Sequence, residues 1–334
     1  MSIPEQLHAT IKAMNWSELN TILVLQPENP DGDSIASSLA LEEILGDQGK
    51  QVIIYSYVHI PDYLRYIEGA DRIVNEFPSQ FDATIVVDTV TASLLERTLK
   101  NDKLAAVNKK PVLVLDHHPV ESDLPLPNAE FYAGENDPIS TGEIVYNLAH
   151  SEHWDINPTA ATHIIESMMA DTLGLTTEAV KGENVQIVAE CLKLGASMAE
   201  IDKRRREYSK KSRELVSYKG QLLQRIEYLC DNKLALIHIP WPEIEKYSPM
   251  YNPSMLALEE LRNTHGVELA IAVKTYPDGK ITGKIRANNL PLAGELAAHF
   301  GGGGHDYAAG FKTMQWKYDD LKAELVKKSQ QILV

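Results

Sequence analysis

Short apolar runs alternate with amphipathic stretches through the first half of the chain. Helical spacing of apolar residues predicts helices over residues 34–45 and 158–169, and the spacing of Ser140 and Glu143 predicts a capping box before a third. Strands are predicted from runs rich in aliphatic and β-branched residues, at 21–25, 51–55, 82–87 and 111–115. Such short apolar strands, separated by helices, are typical of a parallel sheet buried on both faces. The pattern therefore predicts an α/β lobe with helical crossovers.

The rest of the chain divides into a polar helical segment and a mixed α/β segment. We place a helical linker at residues 184–227, between an N-terminal domain of residues 1–183 and a smaller C-terminal domain of residues 228–334. The C-terminal domain is predicted to contain strands at 233–239, 268–273 and 280–286, a turn at 276–279, and helices at 253–262, 292–300 and 318–325. The fold class is therefore α/β, with two lobes.

A basic stretch within the predicted linker has two interpretations. Residues 203–213 carry four arginines and three lysines, and Glu207 is the single acid among them. One interpretation is a solvated face of a connecting helix. The other is a basic lip at which an oligonucleotide enters.

Composition narrows the class of protein. The 334 residues are 44% hydrophobic and 24% charged, which fits two globular domains rather than a disordered chain. With 32 basic and 47 acidic residues, the formal net charge of −15 disfavours binding of long duplex nucleic acid. The two cysteines, Cys191 and Cys230, give no disulfide framework. No apolar run approaches the roughly 20 residues that span a bilayer. The N-terminal pattern is not that of a signal peptide. We therefore expect a cytoplasmic protein without a membrane partner.

Acidic and histidine side chains follow three of the predicted strands. They are Asp31 and Asp33 after the first, Asp88 after the third, and Asp116, His117 and His118 after the fourth. The carboxyl ends of strands in an open α/β sheet form a ligand crevice, so neighbouring strands would bring these groups together. Carboxylates that close repel each other, and a divalent cation removes the conflict. Oxygen-rich ligands with a few imidazoles suit Mn²⁺ or Mg²⁺ better than Zn²⁺.

Asp171 is a further candidate ligand. It ends an apolar helix, where the helix dipole disfavours an acid, so a ligand rather than local stability explains its position. Each acidic motif alone has an ordinary explanation, such as a helix N-cap for Asp31. The combination at strand ends favours a metal site.

A glycine run marks the C-terminal domain. Four glycines at 301–304 precede His305, and such a run costs more backbone entropy than capping a helix requires. Its backbone amides can approach an anion closely, and His305 can donate to a phosphate oxygen. Arg286, at the end of a predicted strand, is a fork-shaped donor suited to phosphate. A flexible hinge is the alternative interpretation of the glycines.

These motifs, in this order, resemble the DHH phosphoesterase family, in the branch that carries the DHH-associated C-terminal domain. The resemblance spans about residues 21 to 311 and rests on five motifs: Asn29-Pro-Asp31-Gly-Asp33, Val87-Asp88, Asp116-His117-His118, Ala170-Asp171-Thr172, and the segment GGGGHDYAAG that begins at Gly301. The chain is similar to bacterial members that act as oligoribonucleases, 3′-phosphoadenosine 5′-phosphate phosphatases or cyclic-dinucleotide phosphodiesterases. The resemblance implies a two-manganese site on the N-terminal lobe, a substrate-holding C-terminal lobe, and often a homodimer.

The resemblance also implies roles for individual residues. Asp88 matches the carboxylate that bridges two metals, and Asp31 matches a ligand of the first. Asp33, His117 and Asp171 match ligands of the second. Asp116 is expected to orient a histidine or ligand, and His118 to lie near the scissile phosphate, which makes Asp88, Asp116 and His118 the expected catalytic set. The substrate-holding positions are Arg286, Gly302, Gly303, Gly304 and His305.

Pro27 departs from the family pattern, which places histidine four residues before Asp31. Proline cannot ligate a metal through its side chain, so the first metal keeps Asp31 and Asp88, with Gln26, Glu28, Asn29 or water as open substitutes. The expected cofactor is one or two Mn²⁺ per chain, with Mg²⁺ as the other possibility.

Three functions follow from these motifs. The preferred hypothesis is metal-assisted hydrolysis of short oligonucleotides, cyclic dinucleotides or nucleoside bisphosphates, by a water shared between metals and with His118 stabilising the phosphate oxygens. The alternative is a catalytically weakened nucleotide-binding regulator that lost a metal ligand at Pro27. A manganese pyrophosphatase shares the N-terminal pattern but lacks the glycine-histidine segment.

Overall fold

The computed structural model describes residues 16–100, 102–118, 122–132 and 137–333. The chain separates into two compact units, with the boundary between Lys210 and Lys211. This boundary falls within the segment 184–227, where the sequence analysis placed the linker.

The N-terminal unit is built on a five-stranded parallel sheet. Its strands, in the order β2-β1-β3-β4-β5, are β1 (Thr21–Leu25), β2 (Gln51–Tyr55), β3 (Ala83–Val87), β4 (Val112–Leu115) and β5 (Ala129–Tyr132). Neighbouring residues of β1, such as Ile22 and Leu23, are buried in apolar clusters on opposite faces of the sheet. The α/β class and four of these strands are confirmed, whereas β5 was not predicted.

Helices cover this sheet. They are α1 (Gly32–Asp47), α2 (Asp102–Val107), α3 (Thr141–Ser151), α4 (Pro158–Asp171), α5 (Gly182–Lys193) and α6 (Met198–Tyr208). Twelve of the 16 residues of α1 are buried, and small side chains let this helix approach α4 closely. A Cβ atom on Gly32 would lie 2.7 Å from Cβ of Ala170, which is too close for any larger residue. The start of α1 and the end of α4 are therefore held together.

The C-terminal unit contains a six-stranded mixed sheet. Its order is β10-β11-β9-β8-β7-β6, and β7 and β8 are its parallel pair. The strands are β6 (Glu227–Leu229), β7 (Leu234–Ile239), β8 (Leu269–Thr275), β9 (Ile281–Ala287), β10 (Gly303–Gly304) and β11 (Ala308–Thr313). The helices are α7 (Arg213–Gln224), α8 (Trp241–Tyr247), α9 (Pro253–Arg262), α10 (Ala293–His299) and α11 (Tyr318–Ile332). The three predicted strands and three predicted helices are present, while β6, β10, β11 and α8 were not predicted.

The basic stretch runs from α6 to the first residue of α7, and most of its basic side chains are ion-paired. Lys203 lies 3.1 Å from Glu200, and Arg205 and Arg206 lie 3.1 and 2.6 Å from Asp202. These pairs favour the interpretation as a solvated helix face over that of a basic lip. Among the described residues, no helix combines the length and apolar character needed to cross a bilayer.

Candidate metal centre

The sheet order brings the predicted acidic motifs to one edge. β1, β3 and β4 are neighbours, with Leu25 opposite Val86 and Val87 opposite Leu115. Asp88 follows β3 directly, donates its backbone N–H to Leu115 O at 2.8 Å, and has φ of 56°. Aspartate is among the few residues that tolerate this left-handed conformation. The turn leaves its carboxyl group at the end of the sheet rather than within it.

Four predicted ligands lie together, with three carboxylates around the imidazole nitrogen of the fourth. Nε2 of His117 lies 2.9 Å from Asp171 Oδ2, 3.6 Å from Asp33 Oδ2 and 3.7 Å from Asp88 Oδ1. This nitrogen is buried, yet it makes no hydrogen bond of acceptable geometry. A buried polar atom without a partner normally marks a missing ligand or ion. Three carboxylates and one imidazole form a donor set that fits Mn²⁺ or Mg²⁺.

Asp33 is held by the N-terminus of α3. Its carboxylate accepts from the backbone N–H of Thr141 at 2.8 Å and of Gly142 at 3.3 Å, and from the hydroxyl of Ser167. Backbone donors at a helix N-terminus stabilise a carboxylate there, so these groups fix the position of Asp33. Thr141, Gly142 and Ser167 were not predicted to take part in the site, although the predicted helix start at Ser140 was a signal for the two amides.

The predicted capping box before α3 is half formed. Ser140 Oγ accepts from the N–H of Glu143 at 3.2 Å, as predicted. The second bond of the box, from the Ser140 N–H to the Glu143 side chain, was predicted wrongly. The Glu143 carboxylate instead accepts from the N–H of Ile139 and from Nδ2 of Asn184, both at 2.9 Å. Glu143 thus ties the start of α3 to α5.

The acidic cluster is electrostatically costly without a cation. Burial and the nearby Asp171 charge raise the pKa of Asp33 to about 7. Burial and the surrounding carboxylates, Asp33 foremost, raise the pKa of Asp88 well above its ordinary value. Burial opposes protonation of His117, but Asp171 and Asp33 outweigh it and raise its pKa to about 9. A bound metal would replace that proton and neutralise the carboxylates.

Asp31 is both a helix N-cap and a neighbour of the cluster. Its Oδ1 accepts from the N–H groups of Asp33 and Ser34, each at 3.0 Å. Burial is the main cause of its raised pKa, and the hydrogen bond from the Ser34 backbone opposes that shift. The charge of Asp31 is in turn among those that raise the pKa of Asp88, which places Asp31 beside the cluster.

Two of the open substitutes for the missing histidine, Gln26 and Glu28, make hydrogen bonds to other parts of the chain. Gln26 Nε2 donates to Ser34 O at 2.8 Å and to the hydroxyl of Ser38. Glu28 Oε1 accepts from the N–H of Thr98 at 2.9 Å. Glu28 is thus engaged, whereas Gln26 Oε1, the atom that could ligate a metal, is buried without a hydrogen-bond partner and stays open as a substitute. Asn29 is exposed.

Asp116 and His118 form a second pair at the same edge. The Oδ1 atom of buried Asp116 accepts from the N–H of His118 at 3.1 Å and lies 2.6 Å from its Nδ1. That contact is the main cause of a raised pKa of His118. His118 is half exposed, so its Nε2 remains accessible. Asp88, Asp116, His117 and His118 can each offer one ligand atom within 4.8 Å of the others.

The glycine run of the C-terminal unit is ordered rather than a hinge. Gly301 has φ of 76° and ends α10, and a Cβ on Gly302 would lie 2.2 Å from Gly310 O. Gly303 and Gly304 form β10, the edge strand paired with β11. His305 N–H donates to Ala308 O at 2.9 Å, and Ala308 is paired with Arg286 on β9. The substrate-holding candidates therefore lie at one edge of this sheet.

Comparisons with known proteins agree with both units. The model of the DHH family N-terminal domain matches residues 21–176, and that of the DHHA1 domain matches residues 252–334. The bifunctional oligoribonuclease and PAP phosphatase NrnA of Bacillus subtilis is 23% identical over 310 residues, covering 92% of this chain and 94% of its own length.

Two further proteins are similar along most of the chain. The A-adding tRNA nucleotidyltransferase of Aquifex aeolicus is 26% identical over 317 residues, but the chain spans 34% of that enzyme's length. The crystal structure of an exopolyphosphatase-related protein from Bacteroides fragilis has a TM-score of 0.80 at 22% identity, covering 98% of both chains. This last similarity supports the fold.

Proposed function

Because this chain belongs to the DHH family, as its two matched domains establish, we propose that it is a metal-dependent phosphoesterase that hydrolyses short oligonucleotides, cyclic dinucleotides or nucleoside bisphosphates. The observation that carries this proposal is the cluster of Asp33, Asp88, His117 and Asp171 around a buried nitrogen without a hydrogen bond. The residues fit a divalent cation, with Mn²⁺ favoured and Mg²⁺ as the alternative. When bound, such an ion supplies Lewis acidity, which lowers the pKa of water and neutralises charge on phosphoryl oxygens.

The residues around the cluster preorganise it for that ion. Asp33, His117, Asp171 and Asp88 would hold one cation, and Asp31 with Asp88 would hold another more weakly. The amides of α3 and the Ser167 hydroxyl keep Asp33 in place, so little reorganisation accompanies binding.

His118 is the group on this chain suited to act on the phosphate. Its contact with Asp116 holds the proton on Nδ1 and raises the pKa of the ring, so the cationic form persists to higher pH. The accessible Nε2 then donates a hydrogen bond or a proton to an oxygen of the scissile phosphate. Asp116 acts as the positioning residue for His118.

The substrate class follows from the relatives and from charge. NrnA of Bacillus subtilis is named as an oligoribonuclease and PAP phosphatase, and both substrates are small and phosphorylated. Arg286, Gly302, Gly303, Gly304 and His305 would hold a terminal phosphate or base. A net charge of −15 disfavours long duplexes but permits such short anions.

The test is hydrolysis by the purified chain with Mn²⁺. A 5′-phosphorylated dinucleotide, a cyclic dinucleotide and an adenosine bisphosphate are each incubated with protein, and products are separated by chromatography. We expect mononucleotide release that EDTA and Asp88→Asn both abolish. Absence of turnover of all three substrates would contradict the proposal, and nucleotide binding without product would instead support the regulator predicted as the alternative.

Assembly and location complete the proposal. A homodimer is implied by the family resemblance, and light scattering coupled to size-exclusion chromatography measures it directly. A cytoplasmic location agrees with two cysteines, Cys191 and Cys230, that are both free thiols.

A further inference from the structure

A pocket of about 270 Å³ lies beside the acidic cluster, within the N-terminal unit. It is formed by α4, α6 and the segment that follows β2, through residues that include Tyr66, Met169, Ala170, Leu173, Ile201 and Arg205. Two of these residues adjoin predicted metal ligands. Ala170 precedes Asp171, and a Cβ atom on Gly32, the residue after Asp31, would lie 3.8 Å from the Tyr66 hydroxyl. The pocket therefore opens at the same edge of the sheet as the cluster.

Leu173 lines this pocket in an unfavourable conformation. It is 77% exposed, which is more than any other large hydrophobic residue in the described part of the chain. Leu173, Gly174 and Leu175 have φ of 52°, 79° and 68°, in the left-handed region that disfavours leucine. The N–H of Leu175 donates to the Thr172 hydroxyl at 2.9 Å and holds the turn. The turn thus keeps an apolar side chain in solvent two residues after Asp171, and backbone strain of this kind is typical of functional sites.

The wall of the pocket combines apolar surface with hydrogen-bond donors. Met169, Leu173 and Ile201 supply the apolar part. Burial, with the charge of Glu166, raises the pKa of Tyr66 to about 12, so its hydroxyl keeps its proton at neutral pH. Within the described residues this hydroxyl makes no hydrogen bond. Arg205 Nη2 lies 3.1 Å from Asp202, and its half-exposed guanidinium has further N–H groups for a ligand.

The acid of this wall does not face the pocket as a free acceptor. Glu166 is 1% exposed, and its carboxylate lies 2.9 Å from Nδ1 of His163 and 3.2 Å from Nη2 of Arg204. The two accessible polar side chains, Tyr66 and Arg205, both offer donors. A ligand of this pocket is therefore a flat or apolar group with acceptor atoms at its edge.

We propose that this pocket binds a nucleobase of the substrate, next to the phosphate at the metal centre. The inference rests on the proposed function and names what makes the site select nucleotides over inorganic phosphates. The apolar wall covers a face of the base, and the donors meet its ring nitrogens and carbonyl oxygens. Guanine suits Arg205 best, because its N7 and O6 both accept from a guanidinium fork.

Calorimetric titration of the Mn²⁺-loaded chain with guanosine 5′-monophosphate and with ribose 5-phosphate tests the pocket. The two ligands differ only in the base. We expect guanosine 5′-monophosphate to bind about tenfold more tightly, and Leu173→Ala to weaken its binding by about fivefold while leaving ribose 5-phosphate unchanged. The matched control is Leu192→Ala, which removes the same side chain from an exposed position on α5 and should change neither affinity. Equal binding of the two ligands, or an unchanged affinity of Leu173→Ala for guanosine 5′-monophosphate, would overturn the inference.

Leu173→Gly separates ligand contact from folding. Glycine adopts a φ of 52° without strain, so this variant should have a Tm at least as high as that of the wild type. It should nevertheless bind guanosine 5′-monophosphate as weakly as Leu173→Ala does. Wild-type affinity of the glycine variant would show that Leu173 contacts no base.

Guanosine, which has no phosphate, distinguishes failure of the pocket from failure of the proposed function. Ligand-observed NMR in EDTA should detect guanosine bound to the wild type and to Leu192→Ala, with a smaller signal for Leu173→Ala. A chain that gives this result but hydrolyses nothing with Mn²⁺ would retain the pocket and refute the proposed function alone. Hydrolysis of a 5′-phosphorylated diguanosine dinucleotide with a kcat/KM that Leu173→Ala leaves unchanged would refute the pocket alone.

Discussion

Replacing Asp88 with asparagine should change stability in opposite directions in the absence and presence of metal. Asp88 is 6% exposed and is surrounded by the carboxyl groups of Asp31, Asp33, Asp116 and Asp171. Asparagine has nearly the same shape and tolerates its φ of 56° equally well. The substitution therefore removes one charge with little change in packing or backbone conformation.

The expected gain without metal follows from the spacing of the acids. Ligand atoms of Asp88 and Asp116 lie within 4.8 Å of each other. With an effective dielectric constant of about 20, two full charges at that distance repel by about 3.5 kcal/mol. His117, whose pKa is raised to about 9, offsets part of this repulsion, and proton uptake by the acids relieves more. We therefore expect Asp88→Asn to stabilise the EDTA-treated chain by about 1 to 2 kcal/mol, or about 2 to 8 °C in Tm.

Bound metal should reverse the sign of this stability change, because we expect the folded chain to bind the ion and the unfolded chain not to bind it. At a free Mn²⁺ concentration 100 times the Kd, binding stabilises the wild type by about 2.7 kcal/mol, or about 5 to 11 °C in Tm. Asp88→Asn should lose most of this rise, since the shared carboxylate is gone.

Differential scanning calorimetry in EDTA and in Mn²⁺ measures both effects. Asp231→Asn is the matched control, because Asp231 also has a positive φ, of 54°, but is exposed and lies in the other unit. Destabilisation of the Asp88→Asn variant in EDTA, or a wild-type response to Mn²⁺, would refute the assignment of these acids to one metal centre.

Two further predictions concern the neighbouring residues. Pro27→His should raise bound manganese, measured by mass spectrometry, toward two per chain; unchanged content would contradict the pairing of Asp31 with Asp88 at a first metal. Gly142→Ala should destabilise the chain by about 1 to 3 kcal/mol in urea and weaken Mn²⁺ binding, because its Cβ would lie 2.1 Å from Ser167 Oγ. Gly220→Ala in α7, where a Cβ meets no atom within 4 Å, is the control and should be neutral or stabilising by up to about 1 kcal/mol.

The strand-end motifs were predictable because short apolar runs and the parallel sheet rule together specify where their ends lie. Once β1, β3 and β4 are neighbours, Asp33, Asp88 and His117 must emerge at one edge. The sequence could not reveal that Gly142 and Ser167 hold Asp33, because that contact depends on how closely α3 packs against α4. The sequence pattern also allowed two interpretations of the glycine run, an anion site or a flexible hinge. The pairing of β10 with β11 argues against the hinge.

Lys274, Lys284 and Arg286 lie on one face of the C-terminal sheet, and the sequence motifs single out only Arg286 among them. Lys274 and Lys284 lie on different strands, and their convergence requires the register of β8 against β9. Taken alone, each lysine has the pattern of an ordinary surface residue, Lys284 within a predicted strand and Lys274 just after one. Burial and the lack of an acid nearby set them apart, and both are tertiary properties.

We expect the departure at Pro27 to alter metal binding without altering the scaffold around it. The loop is anchored by residues on either side, since Gln26 N–H donates to Tyr55 O at 3.0 Å and Glu28 N–H donates to Leu94 O at 2.7 Å. Proline lacks an N–H group, but these two bonds do not use position 27. Asp31 also keeps its N-cap bonds to the start of α1, whichever residue stands at 27. We therefore expect the missing histidine to lower the number of metal ions bound while the residues that hold Asp33 stay in place.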